Sequence, residues 1–322
     1  MIGVVAKLSG ANTNDTLTNA KADVRYAPIT YPKPYYTMAI SPKAKGDEDR
    51  ISSGIARILE EDPTVKYVNN AETKQLTVSG LGDIHLDIIV SKLKNRFGAN
   101  VDLAKPRLAY RETIKKSVEA EGKHKKQSGG SGQYGHVKIK FSPGAEEGLT
   151  FTESVFGGAV PKNFFPAVET GLRECMQKGV LAGYPVVNLA ANLYDGSYHD
   201  VDSNEISFKL AAALAYREGL PQANPVILEP IGELKVYIPE NYVGDVMGDL
   251  NKRRGRVMGI DHTDDGGQVV LAEVPFAEMT DYVIALRAST QGRGRFDFDF
   301  IRYEEVPQNL TDKIIAEAKR EQ

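Results

Sequence analysis

The apolar and polar positions of this chain follow two rhythms, one of period two and one near 3.6, and the places where one gives way to the other divide it into units. Tyr36–Ile40 reads as a strand, and Ile51, Ile55, Ile58 and Leu59 recur at helical spacing until Pro63 stops that helix. Val65–Val68 and Gln75–Val78 alternate on either side of a turn opened by Asn69-Asn70. Ile84, Ile88, Leu93 and Phe97 lie close to one helical face, Gly98 suits the end of that helix, and Val101-Asp102-Leu103 closes the unit. The sequence of elements is βαββαβ, a ferredoxin-like pattern.

The pattern returns after Pro225. Gly232–Ile238 reads as a strand, Pro239–Arg253 as a helix opened by proline, Arg256–Asp261 and Gln268–Glu273 as a hairpin around Asp264-Asp265-Gly266-Gly267, Glu278–Ala288 as a helix and Arg295–Ile301 as a strand. Leu93–Gly98 and Leu250–Gly255 end their helices in the same way, which fits either two copies of one fold or a common helix ending used twice. Between these units, Tyr110 to Asn224 is organised differently. Strand-like runs reach Glu153, a helix is expected over Asn163–Lys178, and an apolar strand over Pro185–Tyr194. A polar loop then leads to a helix over Ser203–Arg217, with Asp202 and Glu205 as its capping box and Ile206, Leu210 and Leu214 as its apolar stripe. Asn309–Gln322 reads as a charged helix. Residues 1–30 contain a strand-like scrap, Val4–Leu8, and a turn at Asn12–Asp15, too little to bury a face. Tyr31-Pro32-Lys33-Pro34 marks a linker. The expected division is 1–30 as the remnant of another domain, then 31–107, 108–224, 225–306, and a final helix at 307–322 that packs near the middle domain.

Composition narrows the classes. The 322 residues are 41% hydrophobic and 26% charged, as in ordinary globular proteins, and no apolar run approaches the ~20 residues of a membrane span. No signal-peptide pattern opens the chain. Cys175 alone rules out an intrachain disulfide and a multi-cysteine zinc site, and suits the reducing cytoplasm. With 40 basic against 43 acidic residues the net charge is −3, unlike a dedicated duplex-DNA binder, so any RNA contact would come from local patches.

Four polar segments could carry chemistry. Gly130-Ser131-Gly132-Gln133-Tyr134-Gly135 fits the spacing of kinase and dinucleotide glycine loops. A kinase would need His-Arg-Asp and Asp-Phe-Gly, which the chain lacks, and a dinucleotide fold a helix where Val137–Phe141 alternates like a strand. A glycine hairpin is the plain reading. The preceding Lys123-His124-Lys125-Lys126 suggests a sharper one: lysines meet phosphates, glycines allow close backbone approach, and Gln133 and Tyr134 can hydrogen-bond or stack. Tyr198–Asp202 places His199 among carboxylates, open to acid–base, metal-binding or merely solvated roles. Arg253, Arg254 and Arg256, and the loop holding Arg293 and Arg295, are basic clusters that serve either a charged partner or the solvated surface. His85 and Cys175 read as structural. No Gly-x-x-x-x-Gly-Lys-Ser/Thr is present, so the chain shows no P-loop.

Taken in order, Glu61–Thr64, Ser79–Leu86, Arg111–Ile114, Gly132–Gly135, Tyr198–Ser203, Leu228–Ile231, Gly244–Asn251 and Thr290–Gly294 resemble elongation factor G from the end of its second domain through its third, fourth and fifth. The resemblance implies an α+β multidomain fold: two ferredoxin-like domains flanking a ribosomal protein S5 domain 2-like domain. It implies a cytoplasmic, monomeric factor of GTP-dependent translocation, whose partners are the ribosome and the tRNA–mRNA duplex and not DNA or membrane. The GTP and Mg would belong to a GTPase module torn away ahead of residue 1, leaving this chain without a cofactor, a catalytic residue or GTPase activity of its own. It implies RNA contact at the tip of the fourth domain by Gln133 and His199, with Gly132, Tyr134, Ser131 and Asp200 around them, and ribosome contact by Lys125, Lys126, Arg293 and Arg295. The family often has Arg where this chain has Ser131, a departure that suits a divergent paralogue or a ribosomal protection or recycling factor.

Overall fold

The structure, a computed structural model, describes residues 3–5, 10–19, 21, 24–126, 132–263 and 266–321. They form two compact units, residues 1–108 with 232–299, and residues 109–231 with 300–322.

In the first unit, β1 (Tyr36–Pro42), α1 (Glu48–Glu61), β2 (Lys66–Asn70), β3 (Gln75–Gly80), α2 (Asp83–Phe97) and β4 (Val101–Ala104) make an antiparallel sheet of order β2-β3-β1-β4. Its core is Ile40, Ile51, Ile55, Ile58, Val78, Leu86, Ile89 and Leu93. The face of α2 differs from the expected one. Ile84 and Ile88 are 71% and 50% exposed, while Leu86, Ile89 and Leu93 are buried. The helix carries two apolar stripes sharing Leu93, and spacing alone does not say which one the sheet takes. Gly98 ends α2 in the left-handed conformation, as its position suggests. His85 is structural: its Nδ1 accepts from the Leu81 amide and its Nε2 lies 3.0 Å from Asp62 Oδ2.

The second unit holds β5 (Arg111–Ile114), β6 (Val118–Lys126), β7 (Gln133–Pro143), β8 (Leu149–Glu153), α3 (Phe165–Cys175), β9 (Leu189–Ser197) and α4 (Glu205–Gly219). Its sheet runs β6-β7-β9-β8, with β8 parallel to β9 and the other pairs antiparallel. The strand expected from Pro185 begins only at Leu189, because Asn188 takes a left-handed turn (φ 54°). Cys175 is half-buried beside the core, and burial pushes its thiol up.

Helix α4 inverts the expected stripe. Ile206, Leu210 and Leu214 are 61%, 40% and 40% exposed, and the buried face is Ser207, Phe208, Ala211, Ala212, Ala215, Tyr216 and Gly219. The reason is close approach. A Cβ on Gly122 of β6 would sit 1.9 Å from the Ala211 carbonyl oxygen, and one on Gly135 of β7 2.4 Å from that of Ser207. A helix pressed this tightly on two strands presents small residues to them. The cap also differs: the Asn204 side chain accepts from the Ser207 amide at 2.9 Å, so Asn204 and not Asp202 starts the helix.

Glu112, 1% exposed, is held by four backbone N–H groups, those of Leu181, Ala182, Gly183 and Tyr184, at 2.8–3.1 Å. This satisfies a buried carboxylate without a cation. The loop it orders carries Ala182, which packs with Ile227, Val306, Ile314 and Ala318.

β10 (Pro225–Ile238), α5 (Val243–Lys252), β11 (Arg256–His262), β12 (Gln268–Pro275), α6 (Tyr282–Ser289) and β13 (Arg295–Glu305) repeat the first topology, in the order β11-β12-β10-β13. The two βαββαβ segments therefore share one strand order. β5 pairs with Pro225–Leu228 of β10, and α7 (Gln308–Glu321) follows β13. Asp264 and Asp265 of the expected hairpin turn lie outside the described residues, as do Gln322 and Ala6–Leu8 of the N-terminal scrap; Val4 and Val5 form no strand. The turn at Asn12–Asp15 is present. Beyond the expected linker, Tyr35 stacks on Phe296 and donates to Asp297 at 2.7 Å. Arg253 pairs with Asp249 and Asp281, Arg254 with Glu278 and Arg256 with Glu273, so this basic cluster is neutralised within the protein.

The packing of α4 has a measurable consequence. Gly122→Ala should destabilise the second unit by roughly 1–3 kcal/mol or more through overpacking, while Leu214→Ala should cost less, about 1 kcal/mol, as a partly exposed position on the outer side of the helix. Denaturant melts comparing the two variants check the α4 face, and equal costs would refute it. Partial burial raises the Asp62 carboxyl, but bonds from the Thr64 amide and hydroxyl and from His85 outweigh it and hold the group below its ordinary value. Its contribution to stability is therefore complete above the unfolded carboxylate value, about 4, and is lost as pH falls through the lower folded value. Thermal melts from neutral to acid pH should show a decline near that range that Asp62→Asn flattens.

Candidate nucleic-acid interface

The hairpin of β6 and β7 and the loop after β9 meet at one end of the second unit. Lys126 pairs with Gln133, Lys125 with Tyr134 and Lys123 with His136 across the hairpin, and His136 pairs with Ser197 of β9. From Ser197 the chain runs through Tyr198–Ser203 into α4. Two bonds tie this loop to the hairpin: the Tyr134 amide donates to the Asp202 carbonyl, and the Ser203 hydroxyl donates to the Tyr134 carbonyl, both at 2.9 Å. A Cβ on Gly132 would lie 2.5–2.7 Å from the Asp202 carboxylate atoms, so the carboxylate sits directly against the glycine backbone. Asp202 thus packs against the hairpin rather than capping the helix.

The predicted side chains divide by what they already hold. His124 Nε2 lies 2.9 Å from Gln133 Oε1, a bond that engages the Gln133 carbonyl and leaves its amide N–H pair unused among the described residues. Tyr134 commits its hydroxyl to Ser197 Oγ at 2.7 Å, and its ring is flanked by Lys123 Nζ (5.8 Å) and tilted against His199 (6.3 Å). It braces the tip. The His199 side chain is 54% exposed, and its Nδ1 faces the backbone N–H groups of Val201 (3.3 Å) and Asp202 (3.2 Å). Accepting from both requires a bare Nδ1, which puts the ring proton on Nε2. Asp202 Oδ2, the nearest carboxylate oxygen, is 3.6 Å from Nδ1. The loop therefore makes His199 a hydrogen-bond donor at its exposed edge, and no group of three or more metal-ligating side chains exists among the described residues. Asp200, Lys125 and Lys126 are exposed, and the two lysines make no ion pair among the described residues. Lys138 is paired with Asp195 at 2.8 Å, which raises the lysine and lowers the carboxyl. Ser131, with Gly130, lies outside the described residues.

Gln133 begins a strand, so no helix opens at the glycine loop as a dinucleotide fold requires. Arg293 and Arg295 belong to the first unit. They line a cavity of about 410 Å³ together with Tyr237, Glu240, Thr263 and Gln268, and the Arg295 guanidinium lies 4.9 Å from the Tyr237 ring centre.

Family profiles match three successive segments: "Elongation Factor G, domain III" over residues 31–105, "Elongation factor G, domain IV" over 106–224, and "Elongation factor G C-terminus" over 226–314. The chain belongs to the elongation factor G family. It is 48% identical over 321 residues to an elongation factor G-like protein of Thermotoga maritima, a match that covers 99% of this chain and 47% of that protein. A crystal structure from Thermus thermophilus superposes with a TM-score of 0.82 at 40% identity, covering 95% of this chain and 46% of that one. The chain thus spans about half the length of the relatives it matches. In family terms the tip lies in domain IV, and Arg293 and Arg295 in the C-terminal segment. No helix among the described residues is long and apolar enough to cross a membrane.

Sequence reasoning missed the brace: His124 under Gln133, Ser197 under Tyr134, and Ser203 joining the loops. Their signal is weak, since short polar residues in loops are common, and only the pairing of distant strands brings them together. The tautomer of His199 is directly measurable. Two-bond ¹H–¹⁵N correlation spectra at neutral pH should show a protonated Nε2 and a bare Nδ1, and a proton on Nδ1 would contradict the loop geometry.

Proposed function

We propose that this chain is the ribosome-binding part of a translational GTPase that moves tRNA and mRNA, with the tip of domain IV entering the decoding centre. The observation that carries the reading is a pair of hydrogen-bond donors, the Gln133 amide and His199 Nε2–H, each set by a bond on its other side and both at the basic end of one sheet. Preset donors beside lysines that make no ion pair among the described residues suit phosphate oxygens, ribose hydroxyls and base carbonyls of an RNA duplex. Asp200 and Gly132 frame the contact, and Lys125 and Lys126 supply attraction to phosphate. Arg293 and Arg295 make a second ribosome contact. GTP and Mg act in the intact protein, outside this chain, so the chain alone turns over no GTP. It works as a cytoplasmic monomer without DNA or membrane.

Ser131, where the family often has Arg, favours a second reading: a paralogue or a recycling or ribosomal protection factor with a less basic tip.

In the intact protein, His199→Ala should slow translocation about tenfold, as expected for a lost hydrogen bond worth ~1.4 kcal/mol in the transition state. Ribosome-stimulated GTP hydrolysis should stay near the parent rate. Rapid-mixing measurement of both steps decides it: an equal fall in hydrolysis removes His199 from the tip role, and unimpaired translocation with splitting of ribosomal subunits supports the second reading.

A further inference from the structure

The tip has a neighbour that neither glycine spacing nor histidine chemistry marks. Between β8 and α3, the segment Ser154–Val160 follows the last residues of β9. The Ser154 amide donates to the Leu193 carbonyl at 2.9 Å, and a Cβ on Gly196 would meet Val160 Cγ2 at 2.6 Å. Gly196 stands beside Ser197, which is level with His136 and, through it, with Lys123. With neighbouring strands ~4.8 Å apart, this segment lies roughly 15 Å across the sheet from the hairpin lysines.

At its centre Phe156 is 93% exposed. Slack does not explain that exposure. Val155, on one side, packs against the core, and Val160, on the other, is 1% exposed within it. Gly157 and Gly158 both take left-handed conformations (φ 66° and 71°), and the Ala159 amide reaches back to the Phe156 carbonyl at 3.4 Å. That is the sign pattern of a type I′ turn, which only glycine-like residues adopt freely. A ring is held out to solvent by a tight turn anchored at both ends. The same end of the unit exposes Tyr198 and Val201, and Lys125, Lys126 and Lys162 make no ion pair among the described residues.

We propose that Phe156 is a third contact of the tip, a platform on which an unpaired RNA base stacks. An exposed aromatic ring followed by two glycines leaves room for a flat ligand, and the lysines at this end without an ion pair among the described residues favour a phosphate-bearing partner over an apolar protein pocket. The inference rests on the tip binding RNA, and names the face and the class of group it takes there.

Two measurements test it on the 322-residue chain bound to purified ribosomes carrying mRNA and tRNA. The first places a benzophenone amino acid at position 156, with a second preparation carrying it at position 126. Irradiation should attach both positions to RNA. A protein adduct from position 156, or no adduct from it while position 126 reacts, overturns the platform and leaves the tip standing. No adduct from either position overturns the tip reading and the platform with it. The second compares binding of variants. Phe156→Ala and Phe156→Leu should each weaken binding about tenfold, the scale of one base–aromatic stack, while Phe156→Trp should stay within about twofold. Retained binding by Phe156→Leu would mean an apolar pocket and overturn stacking. Because the ring is exposed, all three variants should keep the parent melting temperature. The chain has no tryptophan, so Phe156→Trp also supplies its single tryptophan, whose emission stacking should quench.

Discussion

Helix α4 lies so close on strands β6 and β7 that its own backbone, as well as its side chains, meets them. Gly122 faces the carbonyl of Ala211, Gly135 that of Ser207, and from the helix side Gly219 faces Ala120 and Phe141. Glycine within a strand costs about 0.5–1 kcal/mol relative to alanine through lost chain entropy. Here that cost is offset by dispersion contacts that a larger side chain would hold apart. α3 presses on the same helix through Gly171, whose Cβ would lie 2.7 Å from the Lys209 carbonyl. Small residues thus fix α4 from two directions, and Leu210 and Leu214 are left on its outer side.

The tip follows from that placement. With α4 fixed and Asn204 capping it, the six residues from Tyr198 to Ser203 must close the gap back to β9. They do so by bonding to Tyr134 and by folding His199 over its own following amides. The Asp202 carboxylate fills the space beside Gly132. The chemistry on offer is positional: two donors and a set of lysines without ion pairs, with no metal cluster among the described residues. Such a site suits recognition of a charged, hydrogen-bonding surface.

The first unit is held by a different balance. Its two sheets share one topology and each carries an apolar core, while several of its basic residues are spent on neighbours. Arg253 bridges Asp249 and Asp281 and lies over Tyr282, and Glu61 holds Arg96 and Lys92. The Glu61 carboxyl is held down at about 2, chiefly by the Arg96 guanidinium. Tyr35, just past the proline-rich linker, is fastened to β13, and burial followed by the Asp297 carboxylate pushes its hydroxyl up to about 12. Arg293 and Arg295 keep their exposure beside an open cavity.

The sequence by itself determined the elements and the fold class. Alternation and helical spacing are local properties, and turns such as Asn12–Asp15 and the Gly98 helix end need only their own residues. The ordered motifs carried the family for the same reason: each is a short string, legible without knowing what it touches. What the tertiary structure alone decided was which side of each helix faces inward and which polar groups remain free. Ile84 and Ile88, or Ile206, Leu210 and Leu214, make good stripes on a helical wheel. The sheet beneath α2 takes the alternative face, and the glycines beneath α4 admit alanine rather than leucine. Gln133 and His199 stand out in the sequence, but their donor ends are set by His124 and by the amides of Val201 and Asp202, and Tyr134 is a brace only because Ser197 arrives from a strand some sixty residues on. Burial and hydrogen bonding are properties of pairs distant along the chain, and a pattern of single residues does not contain them.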